Sequence, residues 1–310
     1  MSPPFIDLST GVLLSQAANS ATHSLVSTAP AMPPTLNVID WTITAAGAVF
    51  AALIGVRRLR SGRFDGFFGS PVRVHGFRED AVLAAVLAYL LAVLLLSALM
   101  EIGADKNDAL RVGQIVNGGA QLTGIAVCLW IASKRFAGGI RVFVFGGNGA
   151  GTTTALVAVA VTTIIALAFC PLIHESTVWT IVYFAPSFEF TPHATIRALQ
   201  DGGQPFAVVI ALWIGAALIA PVAEELFFRG ILQSALVNLT QNRPAAIVLA
   251  SAAFGAVHTS QPDAIAALVF LGLLLGYVYE RTGALVAPIA VHAAFNLKTL
   301  IWDALGRTLA

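Results

Sequence analysis

Three short polar clusters stand inside apolar runs in the last third of the chain, and their residue types suit hydrolysis. The first reads Ala220-Pro221-Val222-Ala223-Glu224-Glu225-Leu226-Phe227-Phe228-Arg229-Gly230. Glu225 and Arg229 stand four apart with the acid N-terminal, the better order for an ion pair along a helix. Glu224 points about 100° away, towards Phe227 and Phe228, apolar company that suits a carboxyl to general-base work. The adjacent acids are therefore expected to play different roles, with Arg229 fixing Glu225 and leaving Glu224 for chemistry. The second cluster is Phe254-Gly255-Ala256-Val257-His258 and the third His292-Ala293-Ala294-Phe295-Asn296. In each, four-residue spacing puts the first and last side chains on one helical face. Together they offer a base, polarising imidazoles and an amide donor for developing negative charge.

The elements that must carry these clusters are set by composition. Hydrophobic residues make up 57% of the 310 and charged residues 11%, with a mean hydropathy of +0.83. Soluble domains carry roughly a quarter charged residues. This balance excludes an ordinary soluble enzyme, a disordered chain and a coiled coil. A net charge of +1 gives no sign of nucleic-acid binding. Cys128 and Cys170 lie in apolar runs and define neither a disulfide framework nor a zinc cluster. The expected fold is all-α, a polytopic transmembrane helix bundle of about eight spans with the active site buried in the C-terminal helices.

The expected spans are residues 38–56, 81–100, 112–132, 153–173, 205–223, 244–260, 264–279 and 284–302. Residues 1–35 read as an extramembrane tail with an interfacial helix around 5–14. Residues 36–150 form N-terminal transmembrane helices with a basic loop, 151–304 the core, and 305–310 a C-terminal tail. Gln114, Asn117 and Gln121 share one face of the third span and are expected to turn a polar stripe towards neighbouring helices. Pro221 is expected to break the fifth helix, and Pro288 to kink the eighth. The glycine-rich 146–151 segment lacks a phosphate-loop lysine and reads as a helix connection. His23, His75, His174 and His193 fall outside the spans and are expected in solvated loops. Twelve basic residues, six of them arginines between 57 and 80, fall on one side of the spans and five on the other. That bias puts the main basic loops in the cytoplasm and both termini outside it, in the plasma membrane if the host is bacterial.

The order Glu224-Glu225-x-x-x-Arg229, Phe254-x-x-x-His258, His292-x-x-x-Asn296 resembles the three motifs of the type II CAAX prenyl protease family, the CPBP or Abi intramembrane proteases. The likeness covers roughly residues 151–304. It implies peptide-bond hydrolysis within or near the bilayer, of CAAX-type substrates or of other peptides and membrane segments. By that likeness Glu224 and His258 hold the attacking water, Glu225 and Arg229 support them, and His292 with Asn296 cradles the oxyanion. A peptide or membrane-protein segment is the implied partner, beside the lipid bilayer itself. Two questions stay open in the residues. Glu224, His258 and His292 suit a three-ligand Zn²⁺ site with water in the fourth position, and equally a metal-free mechanism with glutamate as base. The same buried groups would also serve a proton-coupled transporter, or a non-catalytic immunity or scaffold protein.

Overall fold

The computed structural model describes residues 34–60, 79–103, 109–136, 138–147, 152–190, 193–200 and 204–309. The expected interfacial helix at 5–14, His23, His75 and most of the arginine-rich segment lie outside the described residues. The described chain is helical: α1 (Pro34–Arg60), α2 (Glu79–Gly103), α3 (Ala109–Arg135), α4 (Gly139–Phe145), α5 (Thr152–Phe184) and α6 (Ala194–Gln200). A continuous helix, α7, follows over Phe206–Thr240, then α8 (Arg243–Ala256), α9 (Ile265–Thr282) and α10 (Val286–Leu309).

Among the described residues five stretches are long and apolar enough to cross a membrane: Asp80–Ala98, Ile115–Arg135, Thr152–Phe184, Phe206–Thr240 and Ile265–Thr282. Val38–Ile54 and Arg243–Ala256 are shorter apolar helices. All eight expected stretches thus lie on helices, but the sixth, 244–260, leaves its helix after Ala256 and ends in a turn. The last of them, in α10, carries Lys298 and Asp303 and is not one of the five. On α2, Leu83, Leu87, Leu90, Leu91, Leu94 and Leu95 are all exposed. A continuous leucine surface of this kind would aggregate in water and is at home in lipid. The protein is an integral membrane protein built as a polytopic helical bundle.

Two prolines behave differently from expectation. Pro221 lies inside α7 without ending it, because the wide turn Gly215–Ile219 precedes it. A π turn makes room where a tighter helix would drive the ring into a preceding carbonyl. Pro171 likewise sits within α5, which runs 33 residues to Phe184. That is about 50 Å at 1.5 Å per residue, well beyond the roughly 30 Å of hydrocarbon. Pro288 falls in the first turn of α10, where a missing N–H removes no helical bond.

Two of the buried apolar clusters on which the helices close frame the site. One gathers Ala81 and Ala85 of α2, Cys128 and Ile131 of α3, Phe143 of α4, and Leu226 and Ile231 of α7. The other gathers Ala166 and Cys170 of α5 with Leu271, Leu275 and Val278 of α9 and Val291 of α10. The α8–α9 pair is drawn especially close: a Cβ on Gly272 would stand 2.9 Å from that of Ser251. Gly146, at the end of α4, has φ 81° and packs against the Gly283–Ala284 turn, a conformation that suits glycine at this connection. Arg229 and Lys298 both lie inside helices, so neither belongs in a count of loop charges.

Candidate active site

Glu224 lies near the midpoint of α7. It and Glu225 occupy the short stretch Ala220–Glu225 between two π turns, Gly215–Ile219 and Leu226–Gln233. In the first turn the Ala220 N–H reaches back to the Gly215 carbonyl. The next donor in that pattern would come from residue 221, a proline with no N–H. The Ala216 carbonyl is therefore left for another donor, and Asn296 Nδ2 of α10 donates to it at 2.9 Å. The same proline that the sequence marks as a breaker thus shapes a docking point for the third motif.

Behind the turn the groups are sealed. Arg229 Nη1 donates to Glu225 Oε1 at 2.9 Å, and Nη2 to the Gly272 carbonyl at 3.3 Å. His292 Nδ1 donates to the same Glu225 oxygen at 2.8 Å. Glu225, Arg229 and His292 are 0%, 1% and 3% exposed. Phe254, wholly buried, sits among them: its ring meets Phe228 at 5.1 Å, His258 at 5.1 Å and His292 at 5.7 Å. The Arg229 guanidinium lies 4.7 Å from its centroid, a cation–π contact that compensates part of the charge's lost hydration.

In front lies a cavity of about 1240 Å³ lined by Glu224, His258, His292 and Asn296. Glu225 and Arg229 stand behind this wall. The Glu224 side chain is 27% exposed, and its Oε2 lies 3.8 Å from His292 Nε2. That exceeds a hydrogen bond and fits a bridging water. One imidazole therefore stands between the two adjacent carboxyls. His258 sits past the end of α8, on the turn 257–264, and its Nδ1 bonds the Phe254 carbonyl at 2.7 Å. A carbonyl only accepts, so Nδ1 carries a proton and Nε2 is the ring nitrogen this bond leaves over. Asn117 and Gln121 of α3 line the same cavity, so these two amides face the site.

The structure corrects the reading of one histidine, His174, and keeps that of His193, which is exposed just before α6. His174 is no loop residue: it lies within α5 and donates through Nε2 to Asp263 Oδ2 at 2.9 Å. His193, at the start of α6, accepts from the Thr195 N–H at 3.2 Å. His174, His193 and Asp263 all line the cavity. A cut-off of about 20 residues for a span ended the fourth helix at 173, although the apolar run Val178-Trp179-Thr180-Ile181-Val182-Tyr183-Phe184 continues it. Lys298 and Asp40, also in the wall, form an ion pair between α10 and α1.

Among the described residues no three His, Cys, Asp or Glu side chains are grouped to hold a metal.

Comparison with known proteins points the same way as the motifs. The family model described as Type II CAAX prenyl endopeptidase Rce1-like matches residues 206–298, from the start of α7 into α10, and so takes in all three motifs. The chain is 32% identical over 121 residues to "Uncharacterized protein YyaK" of Bacillus subtilis (strain 168). That alignment takes in 35% of this chain and 39% of the relative, so the chain spans about two fifths of the relative it matches. No solved structure matches.

Proposed function

We propose that this chain is a membrane-embedded peptidase of the CAAX prenyl endopeptidase kind, hydrolysing a peptide bond of a substrate segment that enters the cavity from the bilayer or its edge. The observation that carries the reading is the convergence of three distant motifs, on α7, α8 with its following turn, and α10, upon one wall. Glu224, His258, His292 and Asn296 line a single cavity, and Glu224 Oε2 and His292 Nε2 stand 3.8 Å apart.

In this mechanism a water lies between Glu224 and the His258 Nε2 lone pair. Glu224 takes one proton as the water oxygen bonds to the scissile carbonyl carbon. The carbonyl electrons move onto oxygen, where the second Asn296 N–H and a proton on His292 Nε2 donate to the oxyanion. Collapse breaks the C–N bond, and the proton held by Glu224 passes to the leaving amine. Glu225 and Arg229 act by holding the His292 ring: Glu225 accepts from Nδ1 and directs Nε2 to the cavity. No step is routed through a metal. Chelator treatment is accordingly expected to leave turnover unchanged, and a loss restored by added Zn²⁺ would overturn that part. The basic bias of the loops supports placing them in the cytoplasm.

The test is mass spectrometry of peptides released from membranes with and without the protein, repeated with Glu224→Gln and His258→Ala. New termini that vanish in both variants support the reading. Products unaffected by either substitution would sink the assigned roles, and proton-driven solute uptake lost in the same variants would favour transport instead.

A further inference from the structure

His258 does not sit in a regular helix. It follows the last residue of α8 on a turn, 257–264, that hands the chain to α9. Within that turn the Gln261 N–H donates to the His258 carbonyl at 2.9 Å, and the Ala264 N–H to the Gln261 carbonyl at 3.0 Å. Those bonds are local and fix the turn's shape, not its place against the rest of the bundle. The side-chain tie that reaches a distant helix is Asp263, whose Oδ2 accepts from His174 Nε2 of α5 at 2.9 Å, 89 residues away in the chain. The two side chains are 19% and 39% exposed, respectively, and both line the cavity that holds Glu224 and His258. α5 is itself firmly placed, packed through Ala166 and Cys170 on α9 and α10.

We propose that His174 and Asp263 are positioning residues: their bond clamps the 257–264 turn to α5 and so holds the His258 imidazole at the distance from Glu224 that water activation needs. This rests on the peptidase reading. The physical reason is that the Phe254 carbonyl orients the His258 ring but travels with the end of α8. It cannot fix the turn against α5, whereas a charge-assisted bond between separate elements can. Displacement of a catalytic group by about 1 Å from the productive geometry can reduce rate roughly 100-fold. The substrate-binding walls of α3, α7 and α10 are left in place, so the defect should fall on turnover.

The experiment compares wild type, His174→Ala, Asp263→Ala, the double variant and Asp263→Asn in detergent, reading both peptide cleavage and hydrogen exchange. Each alanine variant is expected to lower kcat by roughly 10- to 100-fold with KM changed less than about threefold. The double variant should be no worse than either single, since one bond is lost in each case. Asp263→Asn, whose amide oxygen still accepts from Nε2, should recover part of the rate. Independently of activity, amides of 257–264 should exchange faster in the alanine variants while those inside α8 and α9 keep their protection. Unchanged kcat, additive losses, an effect confined to KM, or protection lost throughout α8 and α9 would each overturn the proposal. If wild type itself cleaves nothing, the peptidase reading fails, and with it the catalytic purpose of the clamp, while the exchange data still report whether the clamp exists.

Discussion

Glu224 and Glu225 are neighbours in sequence, yet they belong to two different regions of the molecule. One carboxyl is 27% exposed to a cavity and has a long 3.8 Å approach to His292. The other is fully buried and takes hydrogen bonds from both Arg229 and His292 on a single oxygen. A helix turns about 100° per residue, so adjacent identical side chains can face a wet wall and a dry interior. The sealed side concentrates its short contacts on one Glu225 oxygen and suits an orienting role. The open side leaves its carboxylate free to exchange a proton with water. Two residues of one type therefore do different work, and their surroundings decide which.

The contrast can be broken most sharply at Glu224. Glu224→Gln should reduce cleavage by roughly 10²- to 10⁴-fold, the range for loss of a general base, with thermal unfolding little changed. A drop in stability comparable to that of a sealed-side variant would erase the distinction between the two regions. On the sealed side, Arg229→Ala should cost about 3–5 kcal/mol, because it strands a buried carboxylate; denaturant unfolding in detergent measures it. A smaller effect on the same side is expected from Gly272→Ala, whose new methyl would press on Ser251. Overpacking of this kind costs about 1–3 kcal/mol, and cleavage should fall only as far as the Arg229 contact to the Gly272 carbonyl is displaced.

The mildest probe lies on the open side. The His174 hydrogen bond holds the Asp263 carboxyl below the usual carboxylate range, against an opposing push from partial burial. A depressed folded-state pKa contributes stability that is complete above the unfolded value near 3.9 and is lost as pH falls through the folded value. Wild type should thus exceed Asp263→Asn in stability above about pH 5, by less than about 1 kcal/mol for a partly exposed pair. The difference should close below about pH 4, as unfolding curves across pH would show. A gap that persists unchanged well below that pH would contradict the assigned pair.

Much of the site was legible before any coordinates. The Glu225–Arg229 pair follows from four-residue spacing along a helix, and the Phe254–His258 stack keeps that spacing although His258 lies on the turn past α8. The amides Asn117 and Gln121 are legible for the same reason: a polar stripe on an apolar helix has to face protein or water. What escaped was set by contacts between distant segments. His174 looked like a loop residue because span length was judged by a bilayer's thickness, while α5 continues past it. Its partner Asp263 is 89 residues away, and no local pattern joins them. The 3.8 Å approach of Glu224 to His292 joins α7 to α10, which no local pattern does either. The π turns on either side of Ala220–Glu225 set the angle at which the two acids leave the helix, and a regular 3.6-residue repeat does not contain that rotation.

By itself the sequence determined the medium, the helices and the three motifs. Those depend on short-range facts: apolar content over a turn or a span, and spacing along one helix. Which carboxyl is wet, which ring nitrogen meets which oxygen, and that Pro221 frees a carbonyl for Asn296 were decided only in the tertiary structure. Each of these is a relation between surfaces of different helices, set by how small residues such as Gly272 let the backbones approach, and chain order does not carry that distance.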